Sequence, residues 1–399
     1  MTKEQQFFLQ VLADHLNKRE TLTPDGLDWQ QLYAYAKSHQ VQGIFWSQCK
    51  GYLSSDAEQK EIKDELQLDA IKSTYLYYNN INAYKELQSI FKKNNVRFFP
   101  VKGLEIAALY PIPAFRTMGD IDIVAPEGER ERIRDDMLEK GYVLTRDDYE
   151  LIYNKQNICF EIHDHLVYEQ NQEKTKIKQY FDECWKHICK DSKGNEVLDW
   201  NYHLIFLIQH TKKHFHGNGI GFRQFMDIAV TILGAPDLQW TMIETDLRKI
   251  GLWEFTLKAL AFCHRWFDVQ LPVQTPEIEE SFYEESTEFV FKNGVFGRDN
   301  EHHQEHAIER QIRAAGMPKL IGKMKIICRD VFIPYNEMLE LPYCSFVKDK
   351  KYLLPAAWIY RVYYVLRKKR NQFEDKRTLL FESEDIINRH RILMRKWGL

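Results

Sequence analysis

The chain has 399 residues, 44 % of them hydrophobic and 28 % charged, a globular composition with apolar surface for two or three ordinary cores. Its 55 basic and 58 acidic side chains leave a net charge of −3, which gives no general pull toward nucleic acid or anionic lipid. Seven cysteines without a Cys-x-x-Cys pair, no signal-peptide core and no apolar run near the roughly 20 residues of a bilayer span place the expected location in the reducing cytoplasm, with no membrane partner.

Residues 1–95 read as a helical region. Phe7, Phe8, Val11, Leu12 and Leu16 recur at helical spacing. Thr23-Pro24-Asp25-Gly26 is a turn, and Asp28 is placed to cap a second helix running to about His39. A long helical stretch from about Ser55 to Asn94 follows, with a break expected inside it.

Residues 96–168 read as a mixed α/β core. Arg97 to Val101 is strand-like and ends in Lys102-Gly103, and Leu104 to Tyr110 forms a short helix stopped by Pro111 and Pro113. A strand carries Asp120 and Asp122. Pro126 opens a charged helix to about Lys140, with Gly141 at its C-terminal stop. Strands are expected at Tyr142–Thr145 and Ile158–His163. Residues 169–345 return to helix, including Cys184 and Cys189, a buried run Leu204–Ile208, a glycine-rich turn at 217–221 and a helix from Phe222 to Leu233. Residues 346–399 form a helical tail, in which the basic run Arg367 to Arg370, followed by Glu374-Asp375, reads as a solvated face. The fold class is α+β, a small mixed sheet inside a largely helical protein.

The run Arg116-Thr-Met-Gly-Asp-Ile-Asp-Ile-Val carries the chemistry. On a strand Asp120 and Asp122 share one face, while Ile121 and Ile123 point to the other. Two carboxylates side by side repel, and a divalent cation relieves them; Mg²⁺ takes one or two carboxylates plus substrate phosphates. Without metal, neutralising either aspartate is expected to leave stability unchanged or slightly raised. The plainer reading is a strand edge with two solvated aspartates. On the later strand Glu161 and His163 share a face, opposite Phe160 and Ile162.

Lys102-Gly103, Arg116-x-x-Gly119-Asp120-x-Asp122 and Glu161-x-His163 together resemble a poorly characterised bacterial nucleotidyltransferase family within the DNA polymerase beta-like superfamily. His210 and the helix Arg223-x-x-x-Asp227 extend the likeness. The wider superfamily carries Gly-Ser at the start of the helix before the aspartates, where this chain has Lys102-Gly103. The resemblance implies a nucleotidyltransferase core at 96–168 and Mg²⁺-dependent transfer of a nucleoside monophosphate from a triphosphate to a hydroxyl acceptor. That acceptor is a small molecule, a sugar or a protein, and nucleic acid is disfavoured. Two Mg²⁺ ions are expected on Asp120, Asp122 and Glu161. Lys102, Gly103, Arg116, Gly119, His163 and His210 are the expected nucleotide contacts. A silent nucleotide-binding module of the same fold is the alternative.

Each of these residues has a simpler role open to it. Glu161 can pair with a lysine, Lys102 and Arg116 can form salt bridges with nearby carboxylates, and Arg223 and Asp227 can pair with each other along one helix face. His210 and His214 share a helix face as zinc ligands can, but no acidic or cysteine partner follows at ligand spacing. His302, His303 and His306 are assigned nothing.

Overall fold

The computed structural model describes residues 1–53, 57–147, 150–168, 176–216, 220–295, 350–368 and 392–399, with positions 332, 333, 335, 338 and 347. Cys328, Cys344, residues 217–219, the histidines at 302, 303 and 306, and Lys369, Arg370, Glu374 and Asp375 lie outside the described residues. The chain divides into two compact units, 1–296 with 395–399 and 297–394.

The first unit opens with helices α1 (Lys3–Leu16), α2 (Trp29–Ser38), α3 (Gln42–Cys49) and α4 (Ala57–Lys93). Asp28 caps α2 by accepting from the Gln31 N–H at 2.9 Å. The expected break in the long helix is absent. Residues 57–93 contain neither Gly nor Pro, so nothing removes a backbone bond or loosens the chain.

Next come β1 (Phe99–Pro100), α5 (Gly103–Ala107), β2 (Ile121–Val124), α6 (Arg130–Glu139), β3 (Val143–Asp147), β4 (Glu150–Lys155) and β5 (Ile158–His163). Gly141, at φ +77°, ends α6 in the left-handed region, and the Tyr142 N–H reaches back to the Met137 carbonyl at 3.0 Å. The five strands form one sheet in the order β1-β2-β5-β4-β3. β2 and β5 are parallel, and the other pairs are antiparallel. Ile121, Ile123, Phe160 and Ile162 enter a core closed by Leu87 and Phe91 of α4 and by Ile133 and Met137 of α6. The opposite face of β2 and β5 is thereby left for Asp122, Glu161 and His163. β4 was not anticipated; Gln156, at φ +53°, and Asn157 form the two-residue turn joining it to β5.

After α7 (Lys176–Phe181) the chain forms a hairpin of β6 (Ile188–Lys190) and β7 (Glu196–Leu198), where continuous helix was expected. Asp191 makes the turn by accepting from the N–H groups of Lys193 and Asn195, both at 2.8 Å. Cys189 therefore lies on a strand, and Cys184 begins a short 3-10 turn. Helices α8 (Trp200–His216), α9 (Phe222–Gly234), α10 (Trp240–Lys249), α11 (Trp253–Phe267) and α12 (Glu280–Asn293) complete the unit. Aromatic rings fill their core. Phe222 packs on Phe8, Trp266 and Phe291, and Trp397 inserts against Phe215 and Phe262. In the second unit α13 (Leu354–Lys368) packs on Met338 and Val347, and the Trp358 indole N–H donates to the Ile333 carbonyl at 2.9 Å. Among the described residues no helix is long and apolar enough to cross a membrane.

Two core histidines make the fold acid-sensitive. His15 and His39 are 2 % and 0 % exposed, and burial pushes their pKa values down to about 4 and about 3. In the unfolded chain a histidine titrates near ~6.5, so below that pH the unfolded state binds more protons. Their contribution is complete above pH ~6.5 and is lost, by up to ~1.4 kcal/mol per pH unit for each ring, as the pH falls toward the folded values. The urea midpoint is expected to fall from pH 7 to pH 5, and less steeply in His39→Asn, whose carbonyl can still accept from the Phe222 N–H. Equal slopes in the two proteins would remove His39 from this account.

Candidate active site

Three strands build the site. Parallel pairing sets Asp122 of β2 opposite Glu161 of β5, and antiparallel pairing sets Glu150 of β4 opposite His163. Asp122 is 4 % exposed. Its Oδ1 receives the Lys102 ammonium at 2.5 Å and lies 3.0 Å from His163 Nε2. The other ring nitrogen of His163 lies 3.5 Å from Glu150 Oε2, so the imidazole bridges two carboxylates. Glu161 Oε2 is 3.8 Å from His163 Nε2. Asp120 stands exposed just before β2.

These carboxylates differ in charge balance. Burial pushes the Asp122 pKa up, but the Lys102 ammonium and the His163 ring outweigh it and hold Asp122 well below the usual carboxylate range. Asp120 is shifted the other way, chiefly by the Asp122 charge. Glu161 is pushed up to about 8, first by burial and then by Asp120 and Asp122. Asp122 is thus compensated within the protein, whereas Asp120 and Glu161 carry repulsion that a bound cation would relieve. One oxygen each from Asp122 and Glu161 and a nitrogen of His163 lie within 4.8 Å of one another. The two carboxylates of this trio are hard oxygen donors of the kind Mg²⁺ takes, so they fit such an ion, while Asp120 stands outside the trio, just before β2.

The Lys102-Gly103 step is built for this place. Lys102 has φ +56° and ψ −116°, a backbone region where glycine is at ease and a lysine costs on the order of 1–3 kcal/mol. The backbone thus holds a shape suited to glycine, while the side chain supplies the cation on Asp122. The conformation is fixed by the Lys102 N–H donating to His203 Nε2 at 3.1 Å and the Val101 N–H donating to the Asp122 carbonyl at 3.1 Å. At Gly103 an added Cβ would lie 3.1 Å from Arg116 Nη1 and from Met118 Sδ, so packing favours glycine there. Nothing lies within 4 Å of the corresponding point at Gly119, which leaves open space beside Asp120.

Arg116, expected on the phosphates, is paired with a carboxylate, the simpler role open to it. It is 8 % exposed and binds Asp227 with both arms of its fork, Nε to Oδ1 at 3.0 Å and Nη2 to Oδ2 at 2.8 Å. The Tyr110 hydroxyl donates to the same Oδ1 at 2.8 Å. The possible Arg223–Asp227 pairing is absent for this reason. Arg223 Nη1 instead donates to the Thr117 carbonyl at 2.8 Å and to the Gln40 side chain. Both arginines of the Arg116 and Arg223 motifs therefore clamp the segment leading to Asp120 against α9.

Helix α8 runs beside the cluster. His203, His210 and His214 follow one another at i, i+7 and i+11 on one face. His210 and His214 place their Nε2 atoms 2.9 Å apart, and burial first, then the neighbouring charge, lowers both pKa values, His210 well below the ordinary range and His214 to about 4. The charges of Lys102 and His163 reach His210, so it belongs to the same neighbourhood. No acidic residue joins the two histidines in a cluster of metal-binding geometry among the described residues. Glu150, His203 and Lys213, which feels Lys102, Glu150 and Glu161, were not singled out from the sequence. The i, i+7, i+11 histidines were a usable signal, and Glu150 required the β4–β5 hairpin to be seen.

The chain belongs to the uncharacterised nucleotidyltransferase family, whose sequence pattern matches residues 25–268. No curated protein matches it. Among solved structures it is similar to the antibiotic-resistance factor ANT(2'')-Ia, determined in solution, at 11 % identity and a TM-score of 0.32 over 47 % of this chain and 98 % of that one.

Proposed function

We propose that the protein transfers a nucleoside monophosphate from a nucleoside triphosphate to a hydroxyl, with Mg²⁺, on an acceptor that is a small molecule, a sugar or a protein side chain. The observation that carries this reading is the pairing of Asp122 with Glu161 on one sheet face, with His163 beside them and Asp120 just before the strand. The acceptor oxygen forms a bond to the α-phosphorus, pyrophosphate leaves, and the hydroxyl proton is released. Asp120, Asp122 and Glu161 would hold the metal, two ions being the number expected, and the metal would neutralise the triphosphate and activate the hydroxyl.

The chain's own residues supply position and charge. Lys102 and His163 keep Asp122 ionised and fixed, and Glu150 holds the far side of the His163 ring. The nucleotide would lie between the sheet and helices α8 and α9, with the Lys102 ammonium toward its phosphates and Gly119 leaving room for them. Arg116 acts as a positioning residue through Asp227. Location in the cytoplasm remains part of this proposal.

Glu161→Gln is expected to leave triphosphate binding within about tenfold, or ~1.4 kcal/mol, while turnover falls much further. Asp120 and Asp122 would hold a metal together with the phosphates, so Glu161 would act mainly on the attacking side. Binding and turnover measured on the same preparation decide this; full activity in Glu161→Gln would remove the residue from the reaction. The broader test is Mg²⁺-dependent release of pyrophosphate from labelled triphosphates across acceptor mixtures.

A second reading has one observation in its favour. The Lys102 ammonium already sits on Asp122, where it meets part of the need for a cation. A silent nucleotide-binding module would bind triphosphate equally with and without Mg²⁺ and release no pyrophosphate with any acceptor.

A further inference from the structure

Helix α4 carries two faces. Ile62, Leu66, Ala70, Leu87 and Phe91 are buried in the first unit. On the other side Leu68, Ile71, Tyr75 and Tyr78 are each more than half exposed. Their spacing alternates three and four residues, the spacing of the seam of a coiled coil. Continued outward by the same rule, the seam takes in Asp64 and Glu61 on one side and Asn82 and Lys85 on the other, all exposed.

We propose that this seam is an interface with a second copy of the chain, packed antiparallel about a two-fold axis at residue 73. The register follows from the seam itself. An antiparallel pair sets residue n against residue 146 − n, so Leu68 meets Tyr78 of the second copy and Ile71 meets its Tyr75. The four apolar positions are thus symmetric about one point, as a self-complementary C2 interface requires. The charges obey the same rule. Glu61 falls opposite Lys85 in the seam, a pair that occurs twice in the dimer. A parallel arrangement would set Glu61 against Glu61 and Lys85 against Lys85. The seam from 61 to 85 is about 36 Å long at the helical rise, enough for more than three heptads.

Sedimentation velocity on the full chain, from about 1 to about 100 µM, tests this. The wild type is expected to dimerise in that range, and Ile71→Asp to be monomeric throughout. Glu61→Lys alone and Lys85→Glu alone each create two like-charge contacts, and each is expected to weaken the dimer by about tenfold or more. Mixed together, the two single variants restore both contacts in a heterodimer, as does the double variant Glu61→Lys/Lys85→Glu in a homodimer. Both are expected to return to within about threefold of wild type. Unchanged helical circular dichroism would show that dispersal is not unfolding. A wild type monomeric throughout the range, a dimer that Ile71→Asp leaves intact, or a mixture no tighter than either variant alone would overturn the proposal. Covering of the seam by residues 297–394 of the same chain would give the first of those results.

Discussion

Asp122→Asn is expected to abolish Mg²⁺-dependent triphosphate binding and to lower turnover by at least roughly 10²–10³-fold, the range for removing one preorganised electrostatic group. Asp122 faces Glu161 across the parallel pair and holds both Lys102 and His163. Its loss removes a metal donor and frees two side chains at once. The same substitution should cost ~1.5–3 kcal/mol of stability, because charged hydrogen bonds are lost and Lys102 is left half-buried without its partner. Sequence reasoning from bare repulsion gave the opposite sign for Asp122, and the structure corrects it. The fold lowers the Asp122 pKa, which means that it stabilises the ionised form. Asp120, shifted upward by its neighbour, keeps the earlier expectation: Asp120→Asn should leave stability unchanged or slightly raised while binding falls. Urea unfolding and nucleotide titration of the two variants side by side separate these cases. Equal stability effects in both would contradict the charge balance described for the site.

The second large effect belongs to the brace behind the site. Asp227→Ala is expected to destabilise the protein by about 3–5 kcal/mol, because it strands the buried Arg116 guanidinium. The Tyr110 hydroxyl loses its acceptor in the same step. Replacing both members, as Arg116→Met with Asp227→Leu, should recover much of that stability, since the penalty comes from an unpaired buried charge and not from a missing contact. Activity should not recover with it if the pair also positions the segment before Asp120. A cost for Asp227→Ala below ~1 kcal/mol would show that the pair is not the buried ion pair described here.

The readable parts of the sequence were those governed by local chemistry. The Asp28 cap, the stop at Gly141 and the parity of Ile121, Asp122 and Ile123 follow from side-chain geometry over a few residues. Lys102, Asp122, Glu161 and His163 lie side by side, from three segments that the family resemblance had linked. Two kinds of feature stayed hidden. Gln156-Asn157 has no glycine at its positive φ and so signals the β4–β5 turn weakly, whereas Asp191-Ser-Lys-Gly-Asn195 is a turn signal inside a stretch whose apolar spacing suggested helix. Pairings across the chain depend on which helix packs where. Arg223 and Asp227 are one turn apart and seemed natural partners, yet Asp227 was taken by Arg116, 111 residues away, once α9 was set against the loop before β2. The positive φ at Lys102 was likewise invisible, because nothing in a lysine announces it.

The most direct measurement is a crystal structure of the protein with a triphosphate that cannot be cleaved between its α- and β-phosphates and with Mn²⁺ as an anomalous stand-in for Mg²⁺. The account predicts anomalous density at the oxygens of Asp120, Asp122 and Glu161, with the triphosphate against it and the Lys102 ammonium toward the phosphates. Metal bound elsewhere, or a triphosphate seated away from Asp122 and Lys102, would contradict it.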